Sequence, residues 1–142
     1  MRLPVKAYGR LIKQLLVPGL LLAMIGCGEE PGRVRVKQGE VIGEYEAGFR
    51  QGREKLELRE DHTYIQDLVS EKQAIHQTGS WRMENHLFGG SNIILVGAVV
   101  SEDDPTSSAR RTGDRTLNAH KRSGKLALAI NEAADWYFVR IN

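Results

Sequence analysis

At 142 residues the chain has room for one folded domain, and its single cysteine excludes a fold stapled by disulfides. The formal net charge of +2 overstates its basicity, because Arg2, Lys6, Arg10 and Lys13 sit together ahead of the first apolar run and the remainder carries slightly more acid than base. That leaves no basic face of the kind nucleic acid requires, so no nucleic-acid partner is expected.

The four cations precede the apolar stretch 15–26, and no acidic side chain occurs before Glu29. This is the order of a secretory signal. A helix of about twelve residues reaches roughly 18 Å against a hydrocarbon core of about 30 Å, and Pro18-Gly19 interrupts this one, so a permanent span is not expected. The run ends in Met24-Ile25-Gly26-Cys27. That ending resembles the lipobox of bacterial lipoproteins, in which a small residue precedes the cysteine that receives a diacylglyceryl thioether; Met24 stands where the family prefers leucine. The resemblance implies a signal peptide over 1–26, cleavage between Gly26 and Cys27, and lipid on Cys27 that ties the mature chain to a membrane. Each buried acyl methylene contributes about 0.8 kcal/mol, so two or three chains anchor a protein in effect permanently. It also implies a place in the cell envelope outside the cytoplasm. With Gly28 where inner-membrane lipoproteins carry aspartate, it implies the outer membrane in a Gram-negative host. Residues 27–40 are rich in Gly and charge, with Pro31 and only Val34 and Val36 as large apolar side chains. They read as a lipidated N-terminus and flexible tether.

From Val41 the pattern changes to short β-type runs divided by polar turns. The first run is 41–46. In the second, 54–59, Leu56 and Leu58 alternate with charges, which puts both leucines on one face of a half-buried sheet. These two runs should pair antiparallel through Gly48 and Gly52. Asp61-His62 then marks a two-residue hairpin of type I′, in which His62 is a turn residue rather than a ligand. A third run, 63–69, is β-branched and aromatic. A fourth, 74–84, contains Gly79-Ser80-Trp81, and a loop with Gly89-Gly90 leads to the apolar run 92–100. That run should be buried on both faces or lie at the centre of the barrel, with Gly97 allowing a bend.

Residues 101–124 hold Pro105, several Ser and Thr, charges of both signs and one large aliphatic, Leu117, and read as a long polar loop. The chain closes with runs at 125–130 and 135–141, a terminal hairpin across 131–134. The fold expected over 41–142 is all-β: a small antiparallel barrel or meander of about seven to eight strands.

Gly43-x-Tyr45, Leu56-x-Leu58, Asp61-x-Thr63-Tyr64, Gly79-x-Trp81, Ile94-x-Val96 and Tyr137-Phe138-Val139 together resemble the lipocalin-like, or calycin-like, β-meander lipoproteins, including the N-terminal domain of copper-homeostasis and envelope-stress lipoproteins. The copper-linked members carry Cys-x-x-Cys, whereas this chain has no cysteine after Cys27, so neither metal nor redox signalling is implied. Gly79-x-Trp81 echoes the Gly-x-Trp of lipocalins, where it lies on the first strand. Here it falls mid-domain and reads structurally, with Trp81 plugging one end of a barrel and Gly79 permitting close packing.

Site chemistry is sparse. His62, His76, His86 and His120 include no pair at the spacing that puts two ligands on one helix or strand face, so no metal and no cofactor are expected. Glu102-Asp103-Asp104 lacks the alternating ligands of a calcium loop. No Gly-x-Ser-x-Gly occurs, and Ser107 and Ser108 lie in the polar segment, so no catalytic residues and no enzyme activity are expected. Arg110, Arg111, Arg115, Lys121 and Arg122 read as a solvated stretch that could also touch anionic headgroups or a partner protein. Tyr45, Tyr64, Trp81, Trp136, Tyr137 and Phe138 are the candidates for the barrel interior. The resulting expectation is a membrane-anchored, non-catalytic interaction or scaffold module, with an envelope protein as possible partner. The alternative is a calycin-like carrier of a small apolar ligand.

Overall fold

The computed structural model describes residues 32–49, 52–71, 73–100 and 111–141. A short helix, α1 (Gln38–Val41), precedes eight strands: β1 (Gly43–Phe49), β2 (Gly52–Leu58), β3 (Thr63–Ser70), β4 (Ala74–Asn85), β5 (Ser91–Val100), β6 (Arg111–Arg122), β7 (Lys125–Asn131) and β8 (Trp136–Arg140). Each strand pairs antiparallel with the next, and β8 returns to β1 through Tyr45↔Arg140 and Glu46↔Val139. The all-β expectation is met as a closed up-and-down barrel, and closure leaves the sheet no open edge.

Alternation along each strand sends one face inward. Tyr45 and Ala47 of β1, Leu56 and Leu58 of β2, Trp81 of β4, Ile93, Leu95 and Ala98 of β5, Leu117 and Ala119 of β6, Leu128 of β7 and Phe138 of β8 form the core with Val41 and Tyr64. Each large apolar side chain buried this way contributes roughly 1.5–3 kcal/mol.

Two hairpin turns use left-handed backbone differently. Between β2 and β3 only His62 has positive φ (65°), with His62 N donating to Arg59 O and Asp61 Oδ1 accepting from Thr63 N at 3.0 Å. A single left-handed residue after a tight turn is the longer hairpin connection, not the two-residue type I′ turn expected from Asp61-His62. The two-residue form occurs instead between β6 and β7, where Ser123 (50°) and Gly124 (79°) both take positive φ between the paired Arg122 and Lys125.

Two regions depart from the sequence reading. The expected polar loop 101–124 is in large part strand β6, paired with β5 and β7 on its two sides. Its charges had hidden an inward row of Arg115, Leu117 and Ala119, all buried. The expected tether is ordered from Gly32 onward: Val34 N donates to Ala119 O at 2.9 Å, Lys121 N to Gly32 O at 3.2 Å and Ser91 N to Val34 O at 3.1 Å. Residues 32–36 therefore form a strap on the end of β6 that reaches past the start of β5, and Val34 and Val36 pack against the core. The strap leads into α1, whose Val41 is fully buried. The end of the barrel with strap, α1 and the β2–β3, β4–β5 and β6–β7 turns is called the strap end below; the opposite is the far end.

At the far end β5 leaves its neighbour. The β4–β5 ladder stops at Ser80↔Val96, Gly97 adopts φ 69°, and the β5–β6 register shifts between Leu95 and Ala98. Side chains take over the backbone groups freed there. Tyr64 Oη donates to Val96 O (3.1 Å), Gln77 Nε2 to Gly97 O (3.1 Å) and Gln66 Nε2 to Val99 O (3.1 Å), while Val99 N donates to Gln66 Oε1 (2.9 Å). A buried backbone group left without such a partner would cost about 1–3 kcal/mol.

Candidate functional site

The inward face of β2 begins with Glu54, in phase with Leu56 and Leu58, and the inward face of β6 carries Arg115, in phase with Leu117 and Ala119. Barrel closure brings the two together inside. Arg115 Nη1 donates to Glu54 Oε1 at 2.7 Å, with the side chains 7% and 2% exposed, and Gln66 Nε2 donates to the same oxygen at 2.6 Å. The guanidinium lies over the Phe138 ring, 5.4 Å from its centroid. Arg115 Nη2 is buried and has no hydrogen-bond partner. The cluster is thus an electrically balanced ion pair with one spare donor. Glu54 is committed to the pair, and using it as a base would leave a guanidinium uncompensated in the core.

The six aromatic candidates separate into three groups. Tyr45, Tyr64 and Phe138 are fully buried and Trp81 is 2% exposed, so these four do share the interior. Trp136 is half-buried at the far end of β8, with Phe49 edge-on at 6.5 Å and its indole N–H without a partner. Tyr137 is corrected to the outer face: it neighbours the inward Phe138, and strand alternation turns it outward, against His120 (5.2 Å) and under the Arg122 guanidinium (4.3 Å).

At the strap end, Trp81 stacks on His62 (4.9 Å) and its Nε1 donates to Arg59 O at 3.0 Å. A Cβ on Gly79 would lie 2.6 Å from both Tyr64 Cε1 and Val96 O, so only glycine lets Tyr64 and β5 approach so closely. Tyr45 Oη donates to Val41 O at 2.6 Å, and burial, only partly opposed by Arg140, pushes its phenol up to about 12. Burial raises Tyr64 as well. Both phenols are neutral structural donors at ordinary pH.

On the outer face Glu132 gathers Arg33 (2.9 Å), Asn118 (2.6 Å) and His120 (3.2 Å). Burial works to raise this carboxyl, but hydrogen bonds from Asn118, His120 and Arg33 outweigh it and hold Glu132 below the usual carboxylate range. His120, read as a loop residue, is in fact 4% exposed beneath the strap. His62 bonds to Gln38, His76 to Asp67 and His86 to Asn92. Among the described residues, no three His, Cys, Asp or Glu side chains come together as a metal site would require.

Glu54, Gln66 and Arg115 were missed by sequence reasoning, although their phase with neighbouring leucines carried the signal. Gly26 and Cys27, with Glu102, Asp103, Asp104, Ser107, Ser108 and Arg110, lie outside the described residues. Among the described residues no helix is long and apolar enough to cross a membrane. No family model matches the chain, and no curated protein or solved structure shows significant similarity to it.

Proposed function

We propose that the chain is a bacterial lipoprotein, anchored through lipid on Cys27 outside the cytoplasm, whose barrel is a non-catalytic interaction or scaffold module of the cell envelope. The anchor rests on the cationic and apolar order of residues 1–26 and on Met24-Ile25-Gly26-Cys27. The observation that carries the choice of module over carrier is how completely the described side chains fill the interior. Tyr45, Tyr64, Ile93, Leu95, Leu117, Leu128 and Phe138 each have 0% of their surface open to a water-sized sphere. A carrier barrel of eight strands needs unfilled space where these side chains stand. In a Gram-negative host the absence of aspartate after Cys27 favours the outer membrane.

The anchor is tested by mass spectrometry of the mature N-terminus. A diacylated or triacylated Cys27 is expected, and Cys27→Ser should release the protein from membranes; an unmodified Cys27 or a different start sinks the reading.

One observation favours the second reading, a calycin-like carrier of a small, largely apolar ligand. Arg115 Nη2 is a buried donor awaiting an acceptor, and such a group is what a ligand oxygen would engage. Native mass spectrometry of material from the host decides between them: a clean protein mass is expected, and a reproducible stoichiometric adduct would reverse the ranking.

A further inference from the structure

At the tip of the β4–β5 turn, Leu87 and Phe88 are 86% and 81% exposed, by a wide margin the most exposed large apolar side chains among the described residues. Single exposed leucines are ordinary; two adjacent large side chains pushed into solvent beside a Gly-Gly pair are not. The base of this turn touches the strap. Ser91 N donates to Val34 O, and a Cβ on Gly90 would lie 2.8 Å from that same oxygen.

The direction of the strap gives the turn its meaning. Traced toward its start, the strap passes Ala119 at Val34 and then Lys121 at Gly32, so it runs toward the end of β6 and leaves the barrel at the strap end. Gly32 lies five Cα-to-Cα steps from Cys27, with four residues between them, and a chain of that length spans at most roughly 17 Å. A lipid on Cys27 therefore keeps this end, and no other, beside the bilayer. The same end carries exposed Arg35 and Lys37 on and beyond the strap, and Lys121 and Lys125 flanking the β6–β7 turn. The acidic pair Glu60 and Asp61 stands on the β2–β3 turn, across the mouth of the barrel from the β6–β7 turn, and two further exposed carboxylates at this end are engaged locally, Glu40 by Lys37 N and Glu84 by Arg82.

We propose that the strap end is a membrane-docking face, with Leu87 and Phe88 entering the boundary between headgroups and acyl chains and Arg35, Lys37, Lys121 and Lys125 meeting anionic headgroups. The inference rests on the anchor reading, since the short chain to Cys27 is what fixes the end presented. Apolar side chains flanked by cations are the chemistry that binds in the interfacial plane, where burial is about 5–10 Å deep. The docked barrel then presents its far end, and the Glu54–Arg115 side of the molecule, to the envelope space.

The test uses the intact lipidated chain in vesicles of phosphatidylethanolamine and phosphatidylglycerol bearing bromine on the upper acyl chain. Phe88→Trp places a reporter on the proposed wedge; Val69→Trp, at the far end of β3 and 44% exposed in the native chain, is the control. The wild-type emission of Trp81 and Trp136 is subtracted. The indole of Phe88→Trp should lose most of its added emission while that of Val69→Trp keeps its own, and replacing phosphatidylglycerol with a neutral lipid should weaken the quenching. Equal quenching at both positions, or none at either, overturns the proposal, as does a photocrosslinker at position 88 that captures protein in place of lipid in growing cells. Mass analysis of each N-terminus separates the two readings. Lipidated Cys27 with an unquenched Phe88→Trp indole overturns the docking face alone, whereas unmodified Cys27 removes the anchor and the docking face with it.

Discussion

The two ends of the barrel are closed by opposite chemistry. At the strap end the plug is apolar, Val41 and Trp81, and its polar atoms are matched: the indole N–H meets Arg59 O and the Tyr45 hydroxyl meets Val41 O. Toward the far end the interior is closed by Glu54, Gln66 and Arg115, with one guanidinium nitrogen, Nη2, unmatched. Desolvation of two charges costs several kcal/mol per ion, recovered only with good geometry and full hydrogen bonding, so an apolar plug is the more economical closure. The contrast teaches that the far end is closed by the costlier of the two chemistries. A buried spare donor is consistent with either a ligand acceptor or a device that fixes the register of β2 against β6 across the barrel.

The largest effect expected is from breaking the ion pair on one side. Arg115→Ala strands the Glu54 carboxylate in the core and should cost about 3–5 kcal/mol in urea unfolding. Replacing both partners by apolar side chains, Glu54→Leu with Arg115→Met, should recover most of that loss or exceed wild-type stability. If the double variant is as unstable as the single one, the pair is a net source of stability and the contrast between the ends fails.

Next in size is Trp81→Phe, which keeps most of the apolar plug but leaves Arg59 O without its indole donor. Arg59 O still accepts from His62 N, so the cost is that of one hydrogen bond together with the space the smaller ring leaves, about 1–3 kcal/mol in all. A smaller loss would show that the strap end relaxes into the vacated space and is less tightly sealed than the packing implies.

His62 sharpens the same end at a lower magnitude. Its φ of 65° is tolerated by Asn but not by β-branched residues. His62→Val should lose about 1–2 kcal/mol through left-handed strain and the lost stacking on Trp81. His62→Asn should lose the stacking and the ring's contacts with Gln38 and Trp81 O but keep the backbone fit, and the difference between the two midpoints isolates the backbone contribution.

The smallest effect concerns the outer clasp of the strap. Glu132 has a folded value below its ordinary 4.5, so its contribution is present above that pH and is lost as pH falls through the folded value. The stability gap between wild type and Glu132→Gln should therefore be visible at neutral pH and close on acidification. Because the carboxylate is partly exposed, the gap should be on the order of 1 kcal/mol or less. Hydrogen exchange at Val34 and Lys121 N–H in the same variant should quicken if Glu132 holds the strap in place.

Local sequence determined a good deal of this molecule. Alternation in Glu54-Lys55-Leu56-Glu57-Leu58 and the β-branched, aromatic run from Thr63 announced strands, and the left-handed tolerance of His62 marked the turn between them. The same alternation pointed Glu54 and Arg115 inward. Charge argued against believing it, because a lone charge is rarely buried and its partner, sixty-one positions away, is invisible until the barrel closes. Strand β6 was hidden for a related reason: its sequence is polar, and its residence in the sheet comes from pairing with β5 and β7 rather than from its own propensity, which in strands follows packing against neighbours. The strap was decided later still. Val34 and Val36 form too short an apolar pattern to specify structure alone, and they become ordered only because β6 reaches past the start of β5 and leaves backbone groups at Ala119 and Lys121 that must be satisfied. Local periodicity thus fixed which residues become strands and turns over most of the chain, while long-range hydrogen bonding, available only once the sheet had closed on itself, decided which polar segments joined them.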